Sequence, residues 1–276
     1  MELEDFYINE ERTLTSEDKE KLLNQNKRLV SDFQARKLEA EAQKHWDLFY
    51  KRNETRFFKD RHWTTREFKE LLAVDNETPD IQNLLEVGCG VGNFVYPLIE
   101  ELDVLHQANK FFYYVCDFSP RAVQFVRNHP LYDDKRILAF QCDITTEDIQ
   151  QHIAPGSIDI ITMIFVLSAI TPEKFLLVIK NLHKLLKING VVLFRDYGLY
   201  DMAQLRFKSG HKIIDNFYMR QDGTRSYYFE KNELAKLFLA SGFEILSNTY
   251  IHRRTLNVKE GIDVPRIYVQ SKFRKL

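Results

Sequence analysis

From about residue 81, short apolar runs alternate with stretches of helical periodicity. The apolar runs that predict strands are 84–87, 111–116, 137–142, 158–166, 191–194, 243–252 and 265–272. Helices are predicted at 93–101, 120–128, 145–152, 172–187 and 231–241, the last ended by Gly242. Apolar strands that alternate with helices indicate a mostly parallel sheet covered on both faces. We therefore expect an α/β, Rossmann-like fold with seven strands, in which 253–264 is the loop of a final antiparallel hairpin at the sheet edge.

Two regions lie outside this alternation. Residues 15–50 have helical periodicity after a plausible capped start at Thr15 and Ser16, and 51–69 predict short helical turns. Residues 196–231 interrupt the alternation and are rich in aromatic and basic side chains. The predicted organisation is an N-terminal helical extension, 1–75, and a Rossmann-like domain, 76–276, with an insertion at 196–231.

Charge and cysteine content narrow the classes of function. The chain has 39 Lys and Arg against 40 Asp and Glu, so a nucleic-acid surface must be a local patch. Cys89, Cys116 and Cys142 form no CxxC pair, which favours a reducing compartment over a zinc site or disulfides. A membrane span is not expected, and the opening MELEDFYINEE lacks a signal-peptide core. We expect the cytosol, with the nucleus as a second compartment.

A glycine-rich turn ends the first predicted strand and opens a helix. It reads LLEVGCGVGN over 84–93, with Gly88, Gly90 and Gly92 in G-x-G-x-G spacing. Glycines let a ligand approach the backbone, and a helix N-terminus presents free N–H groups. Asn93 stands where a dinucleotide fingerprint has its third glycine. A tight turn without a ligand is the alternative interpretation.

Acidic residues follow the next two predicted strands. Asp117 lies 25 positions after Gly92, where a carboxylate can accept both hydroxyls of a ribose. Asp143 lies at the end of the third strand, where it can accept a hydrogen bond from an adenine amino group. The carboxyl ends of neighbouring strands are the ligand-binding edge of an open α/β sheet. Either residue could instead be a helix N-cap.

This constellation resembles the class I methyltransferase family, whose cofactor is S-adenosylmethionine. The resemblance implies that the glycine loop contacts the methionine part, that the first acid holds the ribose and that the second reads the adenine. The residues it assigns to the cofactor are Glu86, Gly88, Gly90, Asp117, Phe118, Asp143, Ile144 and Ile164. An NAD oxidoreductase or a non-catalytic nucleotide-binding or scaffold module is a rival. The glycine spacing and the lack of a hydride-relay pair disfavour the oxidoreductase.

Aromatic and basic side chains alternate outside these motifs. They lie in 45–50, 57–63 and 194–198, together with Arg206, Lys208, Lys212, Arg220 and Arg225. Such a mixture suits a flipped or single-stranded base, because rings stack and cations hold phosphates. Alternatively, Trp46, Phe49 and Phe58 are core residues and the charges form a solvated face.

Several longer runs are more specific. KHWDLFYKRN, FFKDRHWTTREF, LEVGCGVGN, CDFSPRAV, FRDYGLYDMAQLRFK, NFYMRQDGTRSYYF and VPRIYVQSKF resemble the methyltransferase-like family of tRNA 3-methylcytidine methyltransferases. The resemblance runs from about residue 14 to the C-terminus, and the arm leading into LTSEDKEKL is most similar to the cytosolic branch acting on serine tRNAs. It implies methylation of the first cytidine of the anticodon loop at N3, closure of Trp46 and Tyr50 over the cofactor, and assistance from seryl-tRNA synthetase in some members. Residues 1–12 match nothing that we can interpret.

The chemistry of this reaction points to one further carboxylate. N3 of cytosine is reachable only when the base is unpaired, and its free lone pair makes a general base unnecessary. The product base is cationic, so a nearby carboxylate would stabilise the developing charge. Asp196, just after the fifth strand and facing the expected pocket mouth, is our catalytic candidate. It could instead cap the following helix or pair with Arg195.

Two residues of the N-terminal extension complete the candidates. Arg61 and His62 are expected to contact RNA phosphates or to shape the loop, although His62 could be a structural histidine. The histidines show neither HxH nor HExxH spacing, so no metal is expected. A methyltransferase of a protein or small molecule, with 1–75 and 196–231 as a lid over a small pocket, is the remaining alternative.

Overall fold

The computed structural model describes residues 6–8, 10–72, 81–107, 110–146, 148–257 and 262–276. The chain divides into two compact units. One contains Met1–Ala42, Ile164–Ile179 and Phe194–Phe273. The other contains Gln43–Met163, Lys180–Leu193 and Arg274–Leu276.

The main sheet has eight strands among the described residues. They are β1 (Phe6–Ile8), β2 (Gln82–Val87), β3 (Phe111–Asp117), β4 (Ile137–Gln141), β5 (Ile158–Ile164), β6 (Leu186–Tyr197), β10 (Phe243–Asn257) and β11 (Ile262–Lys275). Their order is β1-β10-β11-β6-β5-β2-β3-β4. The seven predicted strands are therefore confirmed. The eighth, β1, comes from the N-terminal residues that the sequence left uninterpreted, and it pairs antiparallel with β10.

The strands that carry the glycine loop and the two acids are parallel, as predicted. β2 pairs in parallel with both β3 and β5, and β3 pairs in parallel with β4. Leu84, Leu85 and Val115 are at most 1% exposed, which is why these strands read as apolar runs. In register, Val87 lies opposite Cys116, and Asp117 lies opposite Gln141. The carboxyl ends of β2, β3 and β4 consequently share one edge.

The helices after β2 and β3 lie close to their predicted positions. They are α5 (Val95–Val104) and α6 (Pro120–Arg127), and Ser119 caps α6 by accepting from the Ala122 N–H. Two predictions need correction. The helix expected at 145–152 is only a 3₁₀ turn, Asp148–Gln151. The one expected at 172–187 begins with a 3₁₀ turn, continues as α7 (Phe175–Leu185) and passes directly into β6.

The single helical stretch predicted over 15–50 is wrong. The chain forms three helices there, α1 (Ser16–Gln25), α2 (Asp32–Ala40) and α3 (Ala42–Asn53). Thr15 and Asp18 form a capping box at the start of α1, and Ser31 starts α2 by accepting from the Gln34 N–H. The apolar spacing was not a burial pattern throughout, since α1 buries Asp18 and Gln25 and the side chains of Leu29 and Phe33 are exposed. A short helix, α4 (Thr64–Glu67), and a 3₁₀ turn, Lys69–Leu71, follow.

The C-terminal part departs from expectation in two ways. The loop predicted at 253–264 is too long, since β10 continues to Asn257 and β11 begins at Ile262; residues 258–261 lie outside the described residues. β10 is not an edge strand, because β1 lies beyond it. Gly242, with φ +86°, follows α9 (Lys231–Leu239) as predicted.

The insertion contains elements that the sequence did not reveal. These are α8 (Met202–Leu205) and a separate antiparallel sheet of β7 (Lys212–Ile214), β8 (Phe217–Met219) and β9 (Arg225–Tyr227). Strands of three residues are too short to show an alternating pattern. Phe217, Tyr218, Tyr228 and Phe229 are at most 2% exposed, so many of the aromatic residues in the insertion form a core.

Candidate functional site

The glycine loop has a backbone that other residues could not adopt at low cost. Gly88, Gly90 and Gly92 have φ of +64°, +56° and +94°. A Cβ at Gly92 would overlap the ring of Tyr96, and a Cβ at Gly90 would lie 3.0 Å from the Tyr50 hydroxyl oxygen. Both backbone conformation and space therefore require glycine at these two positions.

Asp117 connects the glycine loop to the end of β3. Its Oδ2 accepts from the Gly90 N–H at 2.9 Å, and its Oδ1 accepts from the Ser119 N–H at 2.9 Å. Burial raises the pKa of Asp117 to about 6, against the lowering effect of these N–H donors. Because Ser119 is the cap of α6, the N-cap alternative for Asp117 is wrong.

Glu86 is a buried carboxylate with an incomplete environment. It is 2% exposed, and neither carboxylate oxygen has a hydrogen-bond partner among the described residues. Burial raises the pKa of Glu86 to about 8, and the charge of Asp117 acts in the same direction. The charge of Arg61 lowers this pKa, as does the nearby Val95 N–H, although that N–H does not meet the geometry of a hydrogen bond. A buried acid that lacks a donor is unusual in a native protein and suits a cationic ligand group.

The residues expected at the adenine end adopt a turn after β4. Asp143 is half-buried, and its Oδ1 accepts from the Thr145 N–H at 2.9 Å. The carbonyl of Ile144, a buried residue, accepts from Asn181 Nδ2 at 3.2 Å. Ile164, the last residue of β5, is 2% exposed. The ligand contacts of these residues stay predictions.

Helix α3 lies against the glycine loop. Phe49 and Tyr50 form a buried cluster with Val91 and Ala122. Trp46 and Phe58 are partly buried and pack against this cluster. Phe49, 4% exposed, is thus a core residue, whereas Phe57 is 58% exposed. Tyr50 has its hydroxyl beside Gly90, and burial raises its pKa well above the usual range.

Two polar residues of α3 were missed from the sequence. The Asp47 carboxylate accepts from the Ser119 hydroxyl at 2.9 Å and from the Arg121 N–H at 3.2 Å. Gln43 Nε2 donates to the Phe118 carbonyl at 3.1 Å. Their spacing offered a signal, because residues three and four apart share one helix face with Tyr50.

The segment after α3 is fixed to the other side of the glycine loop. The Arg61 N–H donates to the Asn93 carbonyl at 2.8 Å, and Asn93 Nδ2 donates to Asp60 Oδ1 at 2.9 Å. The Arg61 guanidinium is close enough to favour the charged form of Glu86. His62 is exposed. The hydrogen bond to Asn93 comes from the backbone of Arg61, and the roles considered for the Arg61 and His62 side chains stay predictions.

Asp196 lies in the other compact unit. It is inside β6 rather than after the strand, and it is fully buried. Its Oδ2 accepts from the Ser168 N–H and its Oδ1 from the Tyr197 N–H, both at 2.9 Å. Burial raises its pKa to about 6, while these donors and the Arg220 charge lower it. Asp201 caps α8, so the alternative that Asp196 caps this helix is wrong.

Known proteins resemble this chain over most of its length. A family model described as a methyltransferase domain matches residues 53–248. The human tRNA N(3)-cytidine methyltransferase METTL6 is 54% identical over 264 residues, covering 96% of this chain and 90% of the human protein. The chain belongs to the tRNA N(3)-cytidine methyltransferase family. A second relative, the tRNA N(3)-methylcytidine methyltransferase trm141 of Schizosaccharomyces pombe, is 42% identical, covering 90% of this chain and 98% of its own.

Solved structures agree with this family's fold. A SAM-dependent methyltransferase from Anabaena variabilis superposes with a TM-score of 0.59 at 15% identity, covering 84% of this chain and 94% of its own. At that identity the similarity establishes the fold alone. Within the described ranges, the chain brings together no group of three or more His, Cys, Asp or Glu that could hold a metal ion. No helix in the described part of the chain is long and apolar enough to cross a membrane.

Proposed function

We propose that the chain methylates N3 of a cytidine in tRNA, with S-adenosylmethionine as the methyl donor. The observation that carries this proposal is the glycine loop joined to Asp117, in a chain 54% identical to a protein named for this reaction. Behind the loop lies Glu86, whose oxygens have no hydrogen-bond partner among the described residues. The substrate position is the first cytidine of the anticodon loop, in serine tRNAs. Seryl-tRNA synthetase is the proposed partner.

The residues of the loop fit this cofactor. Neither oxygen of Glu86 has a hydrogen-bond partner among the described residues, and the carboxylate would accept a hydrogen bond from the α-ammonium of the methionine part. Asp117 keeps acceptor capacity on both oxygens after its two backbone bonds, and it would accept from the ribose hydroxyls. Asp143 would accept from the adenine amino group, with Ile144 and Phe118 beside the ring. When bound, the cofactor supplies an electrophilic methyl group on a sulfonium.

The N-terminal extension would cover the cofactor and contact RNA. Trp46 and Tyr50 pack over the loop from α3 and would close the site. The residues that follow expose basic side chains and the Phe57 ring, a combination suited to phosphates and an unpaired base. From the last turn of α3 to α4, the exposed basic residues are Lys51, Arg52, Arg56, Lys59 and Arg66. These local cations would give RNA affinity despite a net charge of −1.

Catalysis would depend on alignment and charge. The N3 lone pair is available at neutral pH, so holding the base in line with the methyl group accounts for most of the acceleration. The cationic product requires a compensating charge, and Asp196 is the candidate that would provide it. Two backbone N–H groups fix its carboxylate, and its pKa of about 6 leaves it ionised at neutral pH.

The test is methylation of total tRNA with isotopically labelled S-adenosylmethionine, followed by mass spectrometry of the nucleosides. We expect label in 3-methylcytidine, concentrated in the serine tRNAs, and no label with the Asp117→Asn variant. Label in 5-methylcytidine or in a guanosine, without 3-methylcytidine, would contradict the proposed reaction. Added seryl-tRNA synthetase should raise the rate on serine tRNAs; an unchanged rate would remove that partner.

A further inference from the structure

The segment from Gln43 to Arg61, here called the clamp segment, contacts the loops that would hold the cofactor. At one end, Gln43 and Asp47 hydrogen-bond with the turn between β3 and α6. In the middle, Tyr50 covers Gly90. The ribose-side loop and the glycine loop are thus both held by one continuous stretch of chain.

Asn93 holds the other end of this segment. Its Nδ2 donates to Asp60 Oδ1 at 2.9 Å and to the Phe58 carbonyl at 3.4 Å. Its own carbonyl accepts from the Arg61 N–H at 2.8 Å. One residue of the glycine loop therefore holds the backbone at Phe58 and at Arg61 and also holds the side chain of Asp60.

That stretch of backbone also presents exposed side chains. Phe57 is 58% exposed, and Lys59 is exposed beside it. Aromatic and basic side chains of this kind stack on bases and pair with phosphates. The backbone that Asn93 fixes therefore carries groups suited to RNA, while Asn93 itself belongs to the loop suited to S-adenosylmethionine.

We infer that Asn93 is a positioning residue that couples cofactor binding to RNA binding through the clamp segment. This inference rests on the proposed function. A ligand on the glycine loop and a ligand on the clamp segment would each stabilise the hydrogen bonds that join the two, so binding of one would favour binding of the other. Coupling between two binding sites is reciprocal, and its usual range is about 5- to 150-fold in affinity. We expect roughly tenfold here, at the lower end of that range, because the shared contact is a few hydrogen bonds.

The experiment is calorimetric titration of the full chain with S-adenosylhomocysteine, alone and saturated with an anticodon stem-loop RNA. In the unmodified protein the RNA should tighten S-adenosylhomocysteine binding roughly tenfold. In Asn93→Ala this ratio should fall to about one. In turnover, the KM for tRNA of this variant should become independent of the cofactor concentration, whereas a merely structural defect would leave that dependence in place.

Variants that exchange the side chains of Asn93 and Asp60 supply the matched control. Asp60→Asn keeps an acceptor oxygen for Asn93 and should keep the coupling, whereas Asn93→Asp places two carboxylates together and should abolish it. The double variant N93D/D60N reverses donor and acceptor and should restore it, which a general defect in folding would not do. Coupling that persists in Asn93→Ala, or that the double variant fails to restore, would overturn the inference. Failure of the unmodified chain to bind either ligand would instead count against the proposed function, and independent binding of both would overturn only the coupling.

Discussion

Replacing Glu86 by glutamine should stabilise the protein and weaken its hold on the cofactor. The carboxyl group is 2% exposed, and neither oxygen has a hydrogen-bond partner in the described part of the chain. Its pKa is raised to about 8, first by burial, so the folded chain binds this proton more tightly than the unfolded chain does. The stability associated with the protonated group is fully present below about pH 4.5 and is lost as the pH rises through about 8. Glutamine carries no such dependence.

The size of the effect follows from the two pKa values. At pH 7 the folded chain must protonate a group whose ordinary pKa is 4.5, at a free-energy cost of about 3 kcal/mol. Glutamine buries an additional N–H group, which costs about 1 kcal/mol and offsets part of this gain in stability. Glu86→Gln should therefore be more stable by about 2 kcal/mol at pH 7, a rise in Tm of roughly 5 °C, and should match the unmodified protein near pH 5.

Cofactor affinity should move in the opposite direction. If the ligand's ammonium group requires the ionised Glu86, the unmodified protein must release this proton on binding. Affinity for S-adenosylhomocysteine should then rise roughly 50-fold from pH 6 to pH 8, and the Glu86→Gln variant should bind more weakly and lose most of that dependence.

Two measurements on the same samples test this reasoning. Differential scanning calorimetry from pH 5 to 8.5 gives the stability difference, and titration calorimetry in buffers of different ionisation enthalpy counts the protons released. Glu20→Gln, on the exposed surface of α1, is the matched control and should change neither quantity. Equal Tm values for Glu86→Gln and the unmodified protein at pH 8, or binding without proton release at pH 7, would refute the assignment of an unpartnered acid that awaits a cation.

Three further changes have defined outcomes. Gly90→Ala should weaken S-adenosylhomocysteine binding by at least about tenfold in titration calorimetry, because its Cβ meets Tyr50 at 3.0 Å and φ is +56°; unchanged affinity would mean that the loop tolerates a side chain. Asp196→Asn should keep S-adenosylhomocysteine affinity within about threefold yet lower kcat by about 100-fold. The rate of the unmodified enzyme should fall as the pH drops through about 6, because Asp196 becomes protonated there. Wild-type turnover by the variant would remove Asp196 from the mechanism. Glu39→Ala should cost about 2 kcal/mol in thermal unfolding, since it leaves the 6%-exposed side chain of Arg225 without its carboxylate; no loss of Tm would show that the Ala169 carbonyl suffices.

The local signals in the sequence were sufficient for the fold and for the shape of the loop. Glycine spacing predicted a turn at which the backbone carries no Cβ, and Gly88, Gly90 and Gly92 all have positive φ there. The apolar runs predicted seven strands because buried parallel strands have no polar face to interrupt them. Elements with weak local signals were missed, namely β1, the three-residue strands of the insertion and the breaks within 15–50.

The surroundings of each acid came only from the tertiary structure. In the sequence, Glu86, Asp117 and Asp196 are three carboxylates at strand ends, with nothing to separate their environments. In the folded chain, Asp117 bonds to Gly90, Asp196 bonds to two backbone N–H groups, and Glu86 is left without a partner among the described residues. Charge and hydrogen bonding depend on distances between residues remote along the chain, whereas periodicity and turn preference are local. The sequence by itself therefore determined the fold, the family and the glycine loop, and tertiary packing decided which acid has no hydrogen-bond partner among the described residues and that α3 covers the loop.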